Sequence, residues 1–482
     1  MEQGVQRYGL MIPGASSNAP DRVVSAPFDG SEIARVAGAD RNAVEIALGN
    51  AHRLSRNRRG WLSQARRIEI LTRAVEIMRE RIEDLAAEAA REGGKPLVDS
   101  KIEADRAISS IEVCIDVLRT EAGQVVPMNL NAASANRIAM TRPEPIGVVV
   151  AVSAFNHPLN LIAHQVGPAV ACGCPVIVKP AEDTPISAIR FVEILHEAGL
   201  PEEWCQVAIT EDLDAAQALV TDSRVDFFSF IGSPGVGWKL RSLLAPGTRC
   251  ALEHGGAAPV IVAADAEMNS LVDNLLKGGF YHAGQVCVSV QRVFAHRDIA
   301  DELAQKLAER AAELVVGDPL DLGTDIGPLI RPQEVTRVEE WVREAAAAGG
   351  AVLAGGGAIS KSCFAPTLLH EPPSDVKVSN KEIFGPVVCT YSYDDVDEAI
   401  ERANSLPFAF QAAIFTRDID WAMYAFAALD ASAVMINDHT AFRVDWMPFA
   451  GLRQSGHGTG GIPFTMHEMQ VHKMMVLKSA AL

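Results

Sequence analysis

The sequence predicts an α/β fold with more than one domain. The chain has 482 residues, of which 48% are hydrophobic and 22% charged, so it is too long for a single hydrophobic core and has the composition of a folded protein. Its first quarter is helical in pattern, whereas its middle alternates short apolar runs with amphipathic segments. Such alternation is typical of a mostly parallel sheet that is covered by helices on both faces.

The helical region extends from residue 42 to about residue 119. Within it, residues 66–81 repeat apolar side chains at three- and four-residue spacing, which is the pattern of one buried helix face. Residues 125–142 instead alternate polar and apolar side chains around an Asn- and Ser-containing turn, and this predicts a β-hairpin.

From residue 146 onward the pattern changes to strand followed by helix. We expect strands at 146–152, 175–179, 205–209, 225–231 and 259–262, and helices at 158–171 and 185–198. Beyond Glu267 the alternation continues, and glycine runs at 349–350 and 355–357 mark a second α/β unit. Residues 471–477 predict a final strand that pairs with the hairpin.

The charge of the chain argues against two classes of partner. Its 61 acidic and 43 basic side chains give a formal net charge of -18, whereas a nucleic acid or an anionic membrane requires a basic face. The longest apolar run, residues 146–155, is far shorter than a membrane span. Residues 1–7 lack the basic segment and apolar core of a secretory signal. We therefore expect a soluble cytoplasmic protein with a small-molecule substrate.

Three residues point to covalent chemistry. The eight cysteines show no disulfide framework and no zinc spacing, so no metal site is predicted. One of them, Cys287, follows Gly284 and Gln285 in a segment suited to a tight loop that exposes the sulfur, and the other seven are expected to be buried. Glu253 precedes a Gly-Gly turn, and Asn156 follows a predicted strand. A thiol, a base and an amide donor are the groups that acyl transfer through a thioester needs.

Together these motifs resemble the aldehyde dehydrogenase family over essentially the whole chain. The resemblance implies a Rossmann-like nucleotide domain (residues 1–124 and 143–253), a catalytic α/β domain (254–463) and a bridging sheet (125–142 and 464–482) that builds homodimers or homotetramers. The matching segments, in chain order, are Phe155-Asn-His-Pro158, Val178-Lys-Pro-Ala-Glu182, Ile231-Gly-Ser-Pro-Gly-Val-Gly237, Leu252-Glu-His-Gly-Gly256, Gly284-Gln-Val-Cys287, Glu382-Ile-Phe-Gly-Pro386 and Pro448-Phe-Ala-Gly451.

The resemblance implies a role for each of the three reactive residues. Cys287 would be the nucleophile, Asn156 and the backbone N–H of Cys287 would bind the oxyanion, and Glu253 would activate water for thioester hydrolysis. The residues themselves leave open that Asn156 caps a helix ahead of Pro158 and that Glu253 is a surface carboxylate. Glu253 favours a free acid as product, because relatives that pass the acyl group to coenzyme A typically lack it.

The resemblance also implies a nicotinamide cofactor. A glycine-containing turn from a strand into a helix lets backbone N–H groups meet a pyrophosphate. A carboxylate at Glu182 would accept hydrogen bonds from both ribose hydroxyls and repel a 2′-phosphate, which favours NAD over NADP, although the nearby lysine leaves NADP use open. The residues implied in cofactor binding are Lys179, Glu182, Gly232, Ser233, Gly237, Glu382 and Phe384.

Three residues suggest a short polar or anionic aldehyde as substrate. Arg106 and Arg443 stand at places similar to those where relatives that oxidise phosphate-, phosphonate- or carboxylate-bearing aldehydes have arginines, and His157 replaces a more usual aromatic or apolar residue. The segment 442–445 resembles the lactaldehyde and phosphonoaldehyde branches, and non-phosphorylating glyceraldehyde-3-phosphate dehydrogenases are a further similar branch. Val286 departs from relatives that have an arginine directly before the nucleophile.

Several alternatives remain open from the sequence. The two arginines could form structural salt bridges, and His157 could be structural. The enzyme could be a semialdehyde or broad-specificity aldehyde dehydrogenase. A coenzyme A-acylating dehydrogenase, a hydrolase that uses no nicotinamide and a non-catalytic homologue are the remaining alternatives.

Overall fold

The structure is a computed structural model that describes residues 5–482, so the first four residues of the N-terminal segment considered above lie outside it. The strands in chain order are β1 (Gln6–Tyr8), β2 (Arg22–Ser25), β3 (Glu32–Val36), β4 (Val125–Val126), β5 (Arg137–Pro145), β6 (Val148–Val152), β7 (Val176–Lys179), β8 (Cys205–Val207), β9 (Val225–Ile231), β10 (Arg249–Glu253), β11 (Ala258–Val262), β12 (Val290–His296), β13 (Ala351–Ala354), β14 (Thr367–His370), β15 (Val387–Tyr393), β16 (Phe408–Ala409), β17 (Gln411–Phe415), β18 (Ala433–Ile436), β19 (Leu452–Arg453), β20 (Gly456–His457) and β21 (Gln470–Lys478). The helices are α1 (Arg41–Arg56), α2 (Gln64–Glu80), α3 (Ile82–Gly93), α4 (Leu97–Thr120), α5 (Asn160–Cys172), α6 (Ile186–Glu197), α7 (Leu213–Thr221), α8 (Pro234–Ser242), α9 (Met268–Phe280), α10 (Arg297–Ala312), α11 (Pro332–Ala347), α12 (Lys377–Asn380), α13 (Val396–Asn404), α14 (Ile419–Ala428) and α15 (Ile462–Glu468).

The first large sheet has six strands in the order β20-β10-β9-β6-β7-β8. All neighbouring strands run parallel except β20, which pairs antiparallel with β10. The side chains of β6 alternate between two cores: Val149 and Ala151 pack in the cluster that contains α4 and α5, and Val148 and Val150 pack in the cluster that contains α1. The predicted parallel sheet with helices on both faces is therefore confirmed.

The second large sheet has seven strands in the order β13-β14-β15-β12-β11-β17-β18. Its strands pair parallel except for β13, which is an antiparallel edge. It forms its own hydrophobic cluster with α9, α10 and α11. This is the second α/β unit that the sequence predicts.

A smaller sheet joins the hairpin to the C-terminal strand, in the order β21-β5-β4. β21 pairs antiparallel with β5 over the full length of both strands, from Gln470 opposite Pro145 to Lys478 opposite Arg137. The predicted pairing of the final strand with the hairpin is confirmed.

Several strands were not predicted from the sequence, among them β1 to β3, β10, the antiparallel pair of β16 and β19, and β20. β1, β2 and β3 form a three-stranded sheet near the N-terminus, and these strands are short and interrupted by exposed residues. The two-residue strand β20 lies opposite the end of β10, with Gly456 paired to Glu253. Its position depends on a tertiary contact, because two residues carry no periodicity of their own. No helix within residues 5–482 combines the length and the apolar character needed to cross a membrane.

Candidate active site

A cavity of about 540 Å³ lies between the two large sheets, at the carboxyl ends of β6, β7, β9 and β10 and the chain just before β12. Because these strands are parallel, their carboxyl ends meet at one edge, where α/β sheets bind ligands. Gly237 lies behind the wall, against the ring of His254. The other residues singled out in the sequence line the cavity: Arg106, Asn156, His157, Lys179, Glu182, Gly232, Ser233, Glu253, Cys287, Glu382, Phe384 and Arg443.

The backbone before Cys287 has an unusual conformation that presents the thiol to the cavity. His282, Ala283 and Gly284 all have left-handed φ angles, of 49°, 54° and 68°. A Cβ at Gly284 would overlap the carbonyl oxygen of Gly385, so only glycine fits there. The Gln285 side chain fixes the loop by accepting a hydrogen bond from Ile330 N at 2.9 Å. Sequence analysis noted Gln285 only as part of a motif and missed this anchoring contact.

The environment of Cys287 distinguishes it from most other cysteines. It is partly exposed, as Cys250 is, while the other six cysteines are buried. Removal from water raises the pKa of the Cys287 thiol to about 12, the positive charge of Arg443 lowers it, and the carboxylate of Glu253 raises it. The thiol is therefore protonated at neutral pH until a base or a bound positive charge favours the thiolate.

Asn156 contacts the loop that carries the thiol. Its Nδ2 donates to the carbonyl oxygen of Gln285 at 2.9 Å, and one hydrogen of the amide remains for another acceptor. The alternative that Asn156 caps the following helix is wrong. α5 begins only at Asn160, and Glu103 accepts hydrogen bonds from the N–H groups of Leu159 and Asn160.

Glu253 ends β10, between β9 and β20. Its carboxylate lies directly against Gly460, where a Cβ would overlap Oε1. Burial raises the pKa of Glu253 above its usual value, and the charge of Arg443 acts in the opposite direction. A carboxyl group with a raised pKa is suited to exchange protons near neutral pH.

At the far end of the cavity, Glu182 lies between two cations. Lys179 Nζ is 4.0 Å and Arg22 Nη1 is 3.2 Å from its carboxylate oxygens. Arg22 also donates to the carbonyl oxygens of Thr210 and Glu211. Sequence analysis missed Arg22, because it lies on β2, far from the nucleotide motifs along the chain.

The turn between β9 and α8 is shaped by close packing. His254 Nδ1 lies 2.8 Å from the carbonyl oxygen of Gly232, so this nitrogen carries the hydrogen. His254 Nε2 and Ser153 Oγ are buried in the cavity wall and have no hydrogen-bond partner among the described residues. Buried polar atoms of this kind are expected where a ligand supplies the missing partner.

Glu382 and Phe384 close the middle of the cavity. The Glu382 carboxylate lies over the Gly-Gly turn: it accepts from Gly256 N at 3.2 Å and leaves no room for a Cβ at Gly255. Burial raises the pKa of Glu382 to about 8. Phe384 has a left-handed φ of 48° and meets Phe155 edge to face at 5.8 Å. The carboxylates of Glu182 and Glu382, the turn between β9 and α8, and the unpaired atoms of His254 and Ser153 together fit an elongated dinucleotide.

The two substrate arginines have different surroundings. Arg106 donates two hydrogen bonds to Asp445, at 2.7 and 3.3 Å, so its charge is already compensated. Arg443 forms no salt bridge in the described part of the chain, and its buried Nε has no partner. Its guanidinium carbon lies 3.6 Å from the centre of the Phe449 ring. Arg443 is thus the cation of this pair whose charge is available to a ligand.

His157 lies beside these residues in the cavity wall. Its Nε2 is 3.4 Å from the hydroxyl of Tyr281, which sequence analysis did not identify. Burial and the nearby cations lower the pKa of His157 well below its usual value, so the ring is neutral at pH 7.

Comparison with known proteins gives a consistent result. The model described as the aldehyde dehydrogenase family matches residues 15–475. The 3-sulfolactaldehyde dehydrogenase of Priestia aryabhattai is 36% identical over 474 residues, or 98% of either chain. Aldehyde dehydrogenase 21 from Physcomitrella patens, solved with the reaction product succinate, has a TM-score of 0.94 and 31% identity over 99% of both chains. Glyceraldehyde-3-phosphate dehydrogenase GapN from Methanocaldococcus jannaschii, solved with NADP, has a TM-score of 0.90 and 32% identity over 96% of this chain and 100% of that chain.

Proposed function

Because the chain belongs to the aldehyde dehydrogenase family, we propose that it oxidises a short anionic aldehyde to the carboxylic acid. The observation that carries this proposal is that Cys287, Glu253 and the uncompensated guanidinium of Arg443 line one cavity. Cys287 and Glu253 provide the thiol and the base for acyl transfer, and Arg443 provides a site for a negative charge.

The proposed reaction begins when the Cys287 thiol releases its proton to solvent and Sγ attacks the aldehyde carbon, whose C=O electron pair moves to the oxygen. The free hydrogen of Asn156 Nδ2 and the backbone N–H of Cys287 stabilise the oxyanion of the thiohemiacetal. NAD or NADP would be held by Gly232, Ser233, Glu382 and Phe384 and would supply the hydride acceptor that converts the thiohemiacetal on Cys287 to a thioester. Glu253 then takes a proton from water, and hydrolysis releases the acid and the thiol.

The cofactor proposal extends to both nicotinamide dinucleotides. Glu182 would accept hydrogen bonds from the adenosine ribose, which favours NAD. The same carboxylate is flanked by Arg22 and Lys179, and two cations are what a 2′-phosphate would need. Gly232 and Ser233 would meet the pyrophosphate, and Glu382 and Phe384 would contact the nicotinamide half.

The substrate proposal rests on Arg443 and on the names of similar proteins. Those names include a sulfonated aldehyde, a dicarboxylate product and a phosphorylated aldehyde, which all carry a negative charge beyond the reacting carbon. A guanidinium fork binds such oxyanions through two parallel hydrogen bonds. We assign Arg443 to the anion and His157 to a neighbouring polar contact. Glu253 in the cavity wall supports a free acid rather than a coenzyme A thioester as product.

Three further features belong to the same proposal. The sheets support a division into a nucleotide domain, a catalytic domain and a bridging sheet with the boundaries given above. The exposed bridging sheet supports a homodimer or homotetramer. The eight free cysteines support a cytoplasmic, reducing location.

The test is NADH or NADPH formation across a panel of short aldehydes that are neutral, hydroxylated, carboxylated, phosphorylated or phosphonylated. We expect the highest kcat/KM with an anionic member. Arg443→Gln is expected to raise KM for that member about 10- to 100-fold, the equivalent of one charge-assisted hydrogen bond. Lys361→Gln, at an exposed lysine outside the cavity, is the matched control. Equal rates with neutral and anionic members would contradict the substrate proposal.

A further inference from the structure

A buried histidine that the mechanism does not use lies behind the cavity. His164, on α5, is 5% exposed and has both ring nitrogens engaged. We propose that His164 and Asp445 form a relay that holds the guanidinium of Arg443 in the orientation that receives the anionic group of the substrate. This inference deepens the proposed function and rests on it. His164 is in this view a positioning residue, since it acts on the substrate only through Arg443.

The hydrogen-bond chain has only one consistent direction. His164 Nε2 lies 2.7 Å from Asp445 Oδ1, and a carboxylate can only accept, so Nε2 carries the hydrogen. Arg443 Nη2 lies 3.2 Å from His164 Nδ1, and a guanidinium can only donate, so Nδ1 must be the bare acceptor nitrogen. The ring is therefore neutral and in the Nε2–H tautomer, and the chain runs from Arg443 through His164 to Asp445.

The far end of the relay is fixed by three side chains. Asp445 is 2% exposed and accepts from Arg106 through both of its oxygens. Its Oδ1 also lies 3.4 Å from Asn160 Nδ2. Although burial acts in the opposite direction, the hydrogen bonds from His164 and Arg106 and the charge of Arg106 hold the pKa of Asp445 well below its usual range, so it stays an acceptor at any working pH. Burial and the neighbouring charge of Arg443 lower the pKa of His164 to about 4, which keeps the ring neutral.

The near end of the relay determines where the guanidinium points. Phe449 lies under the guanidinium of Arg443, with 3.6 Å between the central carbon and the ring centre, and this contact fixes its plane. The hydrogen bond to His164 fixes its rotation within that plane and uses only one of its five N–H groups. The remaining donors are available to the cavity, which Arg443 lines together with Cys287 and Glu253.

Arg443 needs such a support because a competing partner is close. The negative charge of Glu253 raises the pKa of Arg443, and the positive charge of Arg443 lowers the pKa of Glu253. A long side chain without the relay would be drawn toward the carboxylate of the general base. The guanidinium would then no longer be available to bind the substrate anion. Its pairing with Glu253 would also weaken Glu253 as a base. The relay thus separates anion binding from base catalysis in one small cavity.

The experiment compares His164→Leu, His164→Gln and wild type, with the best anionic aldehyde of the panel and with neutral propanal. Leucine removes both hydrogen bonds, so we expect KM for the anionic aldehyde to rise about 10- to 100-fold. KM for propanal stays within about twofold, because propanal has no anion to position, whereas any fall in kcat caused by Arg443 moving to Glu253 affects both aldehydes alike. Glutamine offers one acceptor and one donor and is expected to restore most of the affinity. His196→Leu is the control, since His196 is a partly buried histidine on α6 whose ring hydrogen-bonds to the carbonyl oxygen of Cys205.

The outcomes separate the relay from the substrate proposal. An unchanged anionic KM in His164→Leu, together with a raised one in Arg443→Gln, would overturn the relay and leave the anion site intact. An equal rise in KM with both aldehydes would overturn it too, because that is the signature of a structural role. A wild type without preference for any anion would overturn the substrate proposal and the relay with it. Where circular dichroism shows that the leucine variant is not folded, His164→Asn replaces it with the same expectation, because asparagine is polar but too short to reach both partners.

Discussion

Cys287 combines the proposed role of nucleophile with an environment that opposes ionisation. The surrounding protein raises the pKa of its thiol to about 12, and Arg443 is the cation that counteracts this effect. The charge of Arg443 therefore has two consequences, since it favours both a bound anion and the thiolate.

The first prediction concerns the reactivity of this thiol. Iodoacetamide is expected to modify Cys287 at a rate that rises about tenfold per pH unit between pH 7 and 9, because the thiolate fraction grows in that proportion below the pKa. Arg443→Gln is expected to slow the modification at each pH, since it removes the stabilising charge. Peptide mass spectrometry separates Cys287 from Cys250, the other partly exposed cysteine. A rate that does not change with pH would contradict the raised pKa.

The second prediction concerns the choice of cofactor. Glu182→Gln removes the carboxylate that would repel a 2′-phosphate and leaves Arg22 and Lys179 free to bind it. We expect the ratio of kcat/KM for NADP to that for NAD to rise about tenfold, which corresponds to about 1.4 kcal/mol. Asp183→Asn is a matched control, because Asp183 is the next residue and pairs with Arg331 instead. An unchanged ratio would show that Glu182 does not select the cofactor.

Between the elements, the carboxylate of Glu103 on α4 joins the loop before α4 to the start of α5. Lys95 and Glu103 are both about 1% exposed and form a salt bridge. The second oxygen of Glu103 accepts from the first N–H groups of α5, at 2.9 and 3.0 Å. One carboxylate thus compensates a buried ammonium and caps the helix that carries His164.

The third prediction follows from this pair. Glu103→Gln keeps an acceptor for the helix cap but leaves the Lys95 ammonium buried without a counter-charge. The free energy of unfolding is expected to fall by about 3–5 kcal/mol, the range for one lost partner of a buried pair. Glu83→Gln, which breaks the exposed pair of Glu83 with Lys101, is expected to cost at most about 1 kcal/mol. Urea unfolding followed by circular dichroism measures both, and equal losses would contradict the argument.

At the scale of the whole molecule, the bridging sheet leaves an apolar face uncovered. Ile138 and Met140 on β5 lie opposite Leu477 and Met475 on β21, and all four side chains are between 39% and 52% exposed. Patches of this kind commonly mark a contact with another chain. β18 is also an open edge of the seven-stranded sheet, and an unpaired edge is a site for further pairing.

The fourth prediction concerns assembly. Light scattering of the purified protein is expected to give two or four times the chain mass of 51.6 kDa. Leu477→Lys puts a charge on the apolar face and is expected to shift the protein to a smaller species. Val352→Lys, on the edge strand β13 of a different sheet and 40% exposed, is the control and is expected to leave the mass unchanged. A monomeric wild type would contradict the proposed assembly.

The sequence by itself determined the helical N-terminal region, the hairpin, five strands of the two large sheets and the final strand. Strand β9 matches its predicted range at both ends, and the final strand and the hairpin were predicted to pair. These successes have one physical reason. The spacing of apolar side chains that become buried is a local property, so it can be read from a short segment of the sequence. The family and the cavity-lining residues singled out in the sequence could also be named, because each motif is a contiguous segment of the chain.

Only the tertiary structure decided how charges far apart in the chain compensate each other. It pairs Arg106 with Asp445 and leaves the charge of Arg443 available to a ligand. The sequence alone does not distinguish these two arginines. It also brings Arg22 to Glu182, His164 to Arg443 and Glu103 to the start of α5. The physical reason is that hydrogen bonds and ion pairs depend on distance and direction within a few ångströms, and these are set only when separate elements pack together.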